Sequence, residues 1–182
     1  MARPISNPQV TLRPQDVVVL LRLALQTGAA PSYATLATEL KLTASEIHAG
    51  VERAQVAQLL RKDDSGKPVA LLEPLRLFLQ HGLRYCFPAT RGELTRGVPT
   101  GHAAPPLLAK IAQPNEPPPV WPHPEGTVRG MTLHPLYPTV PMAALANPAL
   151  YELLVLVDAI RGGSPRERAL AVAELDRRLV SS

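Results

Sequence analysis

Thirteen prolines fall within the fifty residues 99–148. Each one fixes its own backbone torsion and removes a backbone donor, so neither a long helix nor a central strand is expected there. The densest stretch is Pro114-Asn115-Glu116-Pro117-Pro118-Pro119-Val120-Trp121-Pro122-His123-Pro124. It reads as an extended, polyproline-like connection. Within 99–147 only Thr127–Leu133 has the pattern of a short strand. Regular structure must therefore come from residues before 99 and after 147. Trp121 is expected to pack on whatever this segment crosses, because a large aromatic is costly to leave in water. The alternative is that Pro117-Pro118-Pro119 and Trp121 form a ligand for proline-binding domains.

The flanks have helical periodicity. Residues 1–14 hold three prolines and no apolar period, and read as an N-terminal arm. Val17, Leu20, Leu21 and Leu25 recur at three- and four-residue spacing and predict a helix over 15–26. Ser32 is placed to cap a helix over 33–40. Thr43, with Glu46 three residues on, forms a capping box for a helix reaching about Leu60. Asp63-Asp64-Ser65-Gly66 is a turn signal, followed by a short strand over 69–72. Residues 73–81 read as helix, Leu83–Pro88 as an alternating strand and 90–101 as a loop or weak hairpin. At the far end Asn147-Pro148 and Ser164-Pro165 open two helices separated by Gly162-Gly163. The expected fold class is mainly α with a small β component. Its expected domains are an arm (1–14), a helix-turn-helix domain with a wing (15–98), a Pro-rich connection (99–147) and a C-terminal helical hairpin (148–182).

Composition narrows the function classes. Aromatics are 4% of the chain, so its core must rest on Leu, Val and Ala. The formal net charge is +4. Residues 1–100 carry 12 Lys/Arg and 8 Asp/Glu, and residues 101–182 carry 7 of each, so the excess lies wholly in the front part. A basic part joined to a neutral one suits an anionic partner such as nucleic acid; ordinary solubilising charge is the alternative. A single cysteine, Cys86, excludes an internal disulfide and favours a reducing compartment. No apolar run is long enough to span a membrane, and no leader pattern is evident, so a cytoplasmic location is expected.

The informative segment is 32–60. Leu36 and Leu40 face inward, Leu42 plugs a short turn, and Ile47 and Val51 continue the buried seam. Two helices so joined form a helix-turn-helix, whose second helix can enter the DNA major groove. The run Leu36-Ala37-Thr38-Glu39-Leu40-Lys41-Leu42-Thr43-Ala44-Ser45-Glu46-Ile47 resembles bacterial winged helix-turn-helix transcription regulators of the MarR-like class. The resemblance covers roughly residues 15–72. It implies a DNA-binding transcriptional regulator that reads double-stranded DNA with helix 44–58. Carried over by position, the helix starts at Ser32 and Thr43 would offer backbone donors to phosphate. Ala44, Ser45, His48, Ala49 and Arg53 would face the groove, with Glu52 an adverse charge on the same face. Arg61, Lys62 and Lys67 would contact phosphates from the wing. A helical 73–81 would interrupt that wing, which could then be displaced to 83–98 with Arg84, Arg91 and Arg96. Regulators of this class usually pair through terminal helices, which implies a homodimer through the very apolar helix 149–160; intramolecular core is the other reading of that helix. The alternative function is a protein–protein interaction module, antitoxin-like or an adaptor subunit, whose helix-turn-helix does not bind DNA.

Nothing in the sequence points to an enzyme. There is no Gly-rich phosphate loop, no nucleophile elbow and no His-Glu-x-x-His. The five histidines lie at no zinc spacing from one another or from Cys86, so no metal or other cofactor is expected. Cys86, between Tyr85 and Phe87, reads as a buried inert thiol rather than a redox centre.

Overall fold

The computed structural model describes residues 9–180, so most of the expected N-terminal arm lies outside the described residues. Three helices come first: α1 (Pro14–Ala24), α2 (Tyr33–Leu40) and α3 (Ala44–Val56). Pro14 opens α1, and Asp16 in its first turn accepts the Arg13 N–H at 2.8 Å. Ser32 caps α2 and Thr43 caps α3, as their spacing predicts. Leu36, Leu40, Ile47, Val51 and Ala54 are buried against Val17–Leu21 of α1. The expected helix to Leu60 ends four residues early. Gln58 takes a left-handed φ of 59°, and Leu60 enters a strand instead. That strand, β1 (Leu60–Lys62), pairs antiparallel with β2 (Pro68–Ala70), with Arg61 opposite Val69.

The hairpin is therefore complete before the next helix begins, and residues 83–98 fall in the end of a helical run and in the strand at 91–99. Residues 72–86 form one continuous helical run: α4 (Leu72–Leu77), a π turn at Phe78–Gly82 and α5 (Leu83–Cys86). The strand expected at Leu83–Pro88 is thus helix through Cys86. Its alternation was only three residues deep, and Leu75, Leu79 and Leu83 set the stronger four-residue period, all fully buried. Cys86 is exposed on the last turn, which corrects the expectation of a buried thiol.

The Pro-rich segment is more than a connection. β3 (Arg91–Pro99), β4 (Pro119–Pro122) and β5 (Val128–Leu133) close into a three-stranded unit in which each strand pairs with the other two. β3 runs antiparallel to both β4 and β5, and β4 runs parallel to β5. Proline is tolerated in β4 and just before it because the prolines at positions 118 and 119 serve as acceptors. Pro118 O takes the Met131 N–H at 2.8 Å and Pro119 O takes the Thr100 N–H at 3.0 Å. The unit is too tight for side chains at its crossings. A Cβ on Gly97 would lie 2.0 Å from Trp121 O, and one on Gly130 would lie 2.0 Å from Pro118 O.

The end of the chain supplies the centre of the core. A short helix α6 (Val140–Ala146) leads into α7 (Pro148–Gly162), capped by the Asn147 side chain, and α8 (Pro165–Val180) folds back on it. α7 is buried almost all round because it packs on α8, α6, α5 and α1, and on the short helical turn at Gly101–Ala103. The apolar surface that suggested a second subunit is thus covered within the chain. Trp121 is fully buried, as its size predicts. Its Nε1 donates to Asp158 Oδ2, which also accepts Thr100 Oγ1 at 2.8 Å. Arg161 donates to Asp158 Oδ1 at 2.7 Å and to the carbonyls of Phe87 and Pro88. Burial pushes the Asp158 carboxyl up, against the Arg161 charge and these hydrogen bonds, which pull it down. This network clips the Pro-rich strands and the end of α5 to α7, and one hydrophobic cluster runs from Val17 to Leu179.

Candidate nucleic-acid interface

The turn between α2 and α3 sets the geometry. Lys41 adopts a left-handed φ of 56°, a conformation unfavourable for a residue with a Cβ. It lets the Leu42 N–H reach back to Ala37 O at 3.0 Å and drops the Leu42 side chain into the core. α3 then leaves with its first turn closed by the reciprocal box. Thr43 Oγ1 accepts the Glu46 N–H at 3.1 Å, and Glu46 Oε2 accepts the Thr43 N–H at 2.8 Å. The Glu46 carboxyl is held below its ordinary range by the Thr43 backbone and hydroxyl donors, and then by Tyr137. Tyr137 Oη donates to Glu46 Oε1 at 2.9 Å, bringing the segment before α6 onto the first turn of α3. Glu46 is therefore structural.

The outward face of α3 presents Ala44, Ser45, His48 and Glu52, with Ala49 half-buried. His48 stands edge-on to the Tyr33 ring, with centroids 5.2 Å apart, and its Nδ1 is 3.5 Å from Glu52 Oε1. Tyr33 and Glu52 thus hold the imidazole from two sides. Ser32, exposed at the start of α2, uses its Oγ on the Thr35 N–H at 3.1 Å.

Arg53 is elsewhere than its helical position suggested. Its Nε and Nη2 bind Asp16 Oδ2 and Oδ1 at 2.8 and 2.7 Å. Asp16 is fully buried, and the Arg53 side chain is 15% exposed. The bidentate pair with Asp16 raises the Arg53 pKa further, chiefly through its hydrogen bonds. Arg53 is a strut between α1 and α3, its guanidinium engaged by Asp16 rather than presented on the outward face of α3. Gly50 makes room for the strut, since a Cβ there would lie 2.9 Å from Asp16 Oδ1. No sequence signal gave this pairing, because an acidic residue in the first turn of a helix is ordinary and Asp16 also accepts from the Arg13 N–H.

The hairpin carries the positive charge. Asp63 Oδ1 accepts from Ser65 Oγ at 2.7 Å, from the Ser65 N–H at 2.9 Å and from the Lys67 N–H at 2.9 Å, which stiffens the tip. Those donors, the Ser65 hydroxyl first, hold the Asp63 carboxyl below its ordinary range. Arg61, Lys62 and Lys67 are exposed beside it. Lys41 is a further exposed cation at the turn, missed in sequence because it sits between the buried Leu40 and Leu42. Two of the arginines expected on a displaced wing lie elsewhere in the fold. Arg91 Nη2 donates to Gly162 O, and Arg84 lies over the Tyr85 ring.

Among the described residues no cluster of three His, Cys, Asp or Glu could hold a metal ion, and no helix is long and apolar enough to cross a membrane. In comparisons with known proteins the chain matches no family model, no curated protein and no solved structure.

Proposed function

We propose that the chain is a double-stranded-DNA-binding transcriptional regulator of winged helix-turn-helix type. The observation that carries this reading is the order α1-α2-α3-β1-β2, with a complete hairpin bearing exposed Arg61, Lys62 and Lys67 directly after a capped, outward-facing α3. Ser45 and His48 would read base edges from the start of α3, the part of such a helix that reaches deepest. Arg61, Lys62, Lys67 and Lys41 would anchor phosphates, giving affinity and register without sequence preference.

One observation favours the second reading, an interaction module or adaptor. The outward face of α3 carries Glu52 and no free cation, since Arg53 is turned inward. Fluorescence anisotropy of labelled duplex from upstream of its own gene, against a scrambled duplex, separates the two at several salt concentrations. A regulator binds the cognate duplex more tightly, and its log affinity falls linearly with log salt. Replacing Arg61, Lys62 and Lys67 together with Gln should flatten that slope by about three units, close to one per phosphate contact. Equal or absent binding to both duplexes overturns the regulator.

A further inference from the structure

The three-stranded unit carries a charge arrangement that its folding does not account for. Arg96 on β3 and Arg129 on β5 are register partners across the antiparallel ladder. Their Cβ atoms therefore lie about 5 Å apart on one face, where like charges repel. Both side chains are exposed. Among the described residues, neither guanidinium has a carboxylate within 4.0 Å, whereas Arg22, Arg53, Arg76 and Arg161 each meet one. Leu94, Thr95 and Thr127 complete the walls of an open groove of about 360 Å³ around the two arginines, and no acidic residue lines it.

We propose that this groove binds the phosphate group of a small phosphomonoester, held between the Arg96 and Arg129 guanidiniums. Two planar forks side by side match a tetrahedral oxyanion, and arginine is the side chain best suited to bidentate phosphate binding. A dianion cancels both charges at once, so binding relieves the repulsion built into the empty pair. A single carboxylate would leave half of it. The groove is at the lower end of the size range for small-ligand pockets. This site is separate from α3 and the hairpin and does not depend on the DNA-binding reading.

The test uses the full chain, with inorganic phosphate and adenosine monophosphate as probes against chloride at equal ionic strength. Calorimetric titration and thermal unfolding are read for the wild type, for Arg96→Gln, for Arg129→Gln and for the double variant. Saturable binding and a rise in Tm are expected in the wild type, with Kd weakened about tenfold for each arginine removed. The ligand-free Tm of each single variant should equal or exceed that of the wild type, because a like-charge contact is lost. No saturable response, or an undiminished one in the double variant, overturns the proposal. So does a lower ligand-free Tm in both single variants, which would make the pair structural. If the wild type ignores both probes while the double variant weakens duplex binding, the phosphate is that of nucleic acid and the small-ligand site is refuted.

Discussion

Arg53→Met tests the strut between α1 and α3. Asp16 is wholly buried and accepts three hydrogen bonds, from the Arg13 N–H and from two nitrogens of Arg53. Removing Arg53 leaves a buried carboxylate with one donor and no counter-charge. Breaking one side of a buried pair costs about 3–5 kcal/mol. Arg53 is itself 15% exposed, and water can enter the space it vacates, so the lower end applies, about 3 kcal/mol. For a chain of this size that is a fall in Tm of about 6–12 °C. Trp121, the one tryptophan and fully buried, reports unfolding by fluorescence in urea. The cycle is completed with Asp16→Ala and the double variant, where a coupling of about 2 kcal/mol or more is expected. A coupling below about 0.5 kcal/mol, or a Tm drop under about 2 °C, refutes the reasoning. At a temperature where Arg53→Met is fully folded, its duplex affinity should match the wild type. A loss of more than about tenfold would put the guanidinium on a base after all.

Gly130→Ala should destabilise by about 3 kcal/mol, at the top of the overpacking range, because its Cβ meets the backbone oxygen of Pro118 rather than a yielding side chain. Gly28→Ala, with nothing within 4 Å of its Cβ, is the control and should stay within about 0.5 kcal/mol in the same urea titration. The Glu46 carboxyl, lowered in the folded chain, adds stability that is present above its unfolded pKa and lost as pH falls through the folded one. Glu46→Gln should therefore flatten the acid limb of a stability–pH curve, and Tyr137→Phe should shift the Glu46 carboxyl resonance titration upward by NMR. Cys86 should be alkylated stoichiometrically in the native chain without denaturant, since it is exposed; mass spectrometry showing labelling only in urea would contradict its placement.

Local rules were legible wherever short-range chemistry decides. The caps at Ser32, Thr43 and Asn147 and the Asp63 turn all follow from residues a few positions apart, whereas the apolar helix 148–160 demanded cover without saying whether this chain or a second copy supplies it. What escaped the sequence depends on distant partners. The pairing of Arg53 with Asp16 spans 37 positions, and β4 is a strand only because Gly97 and Gly130 let its backbone approach β3 and β5. Leu83–Pro88 looked like a strand because the four-residue period that makes it helical begins eight residues earlier, at Leu75. At the candidate interface the exposed Ser45 and His48 and the cationic hairpin were legible. The inward turn of Arg53 was not, because helical spacing alone placed it outward.

Closure of β3, β4 and β5 has a consequence for how this molecule can meet others. An open sheet ends in a row of unpaired N–H and C=O groups, which is where peptides add as extra strands and where aggregation starts. In this unit each strand pairs with the other two, and the border left unpaired is confined chiefly to the Arg91–Arg96 part of β3 and the Val128–Gly130 part of β5. Where the unit is closed, a partner must engage it through projecting side chains, by charge and shape rather than backbone pairing. The small β1–β2 ribbon does keep free borders, and Arg61, Lys62 and Lys67 put charge along them. The same cations that would hold phosphate thus also guard the ribbon against strand-to-strand association.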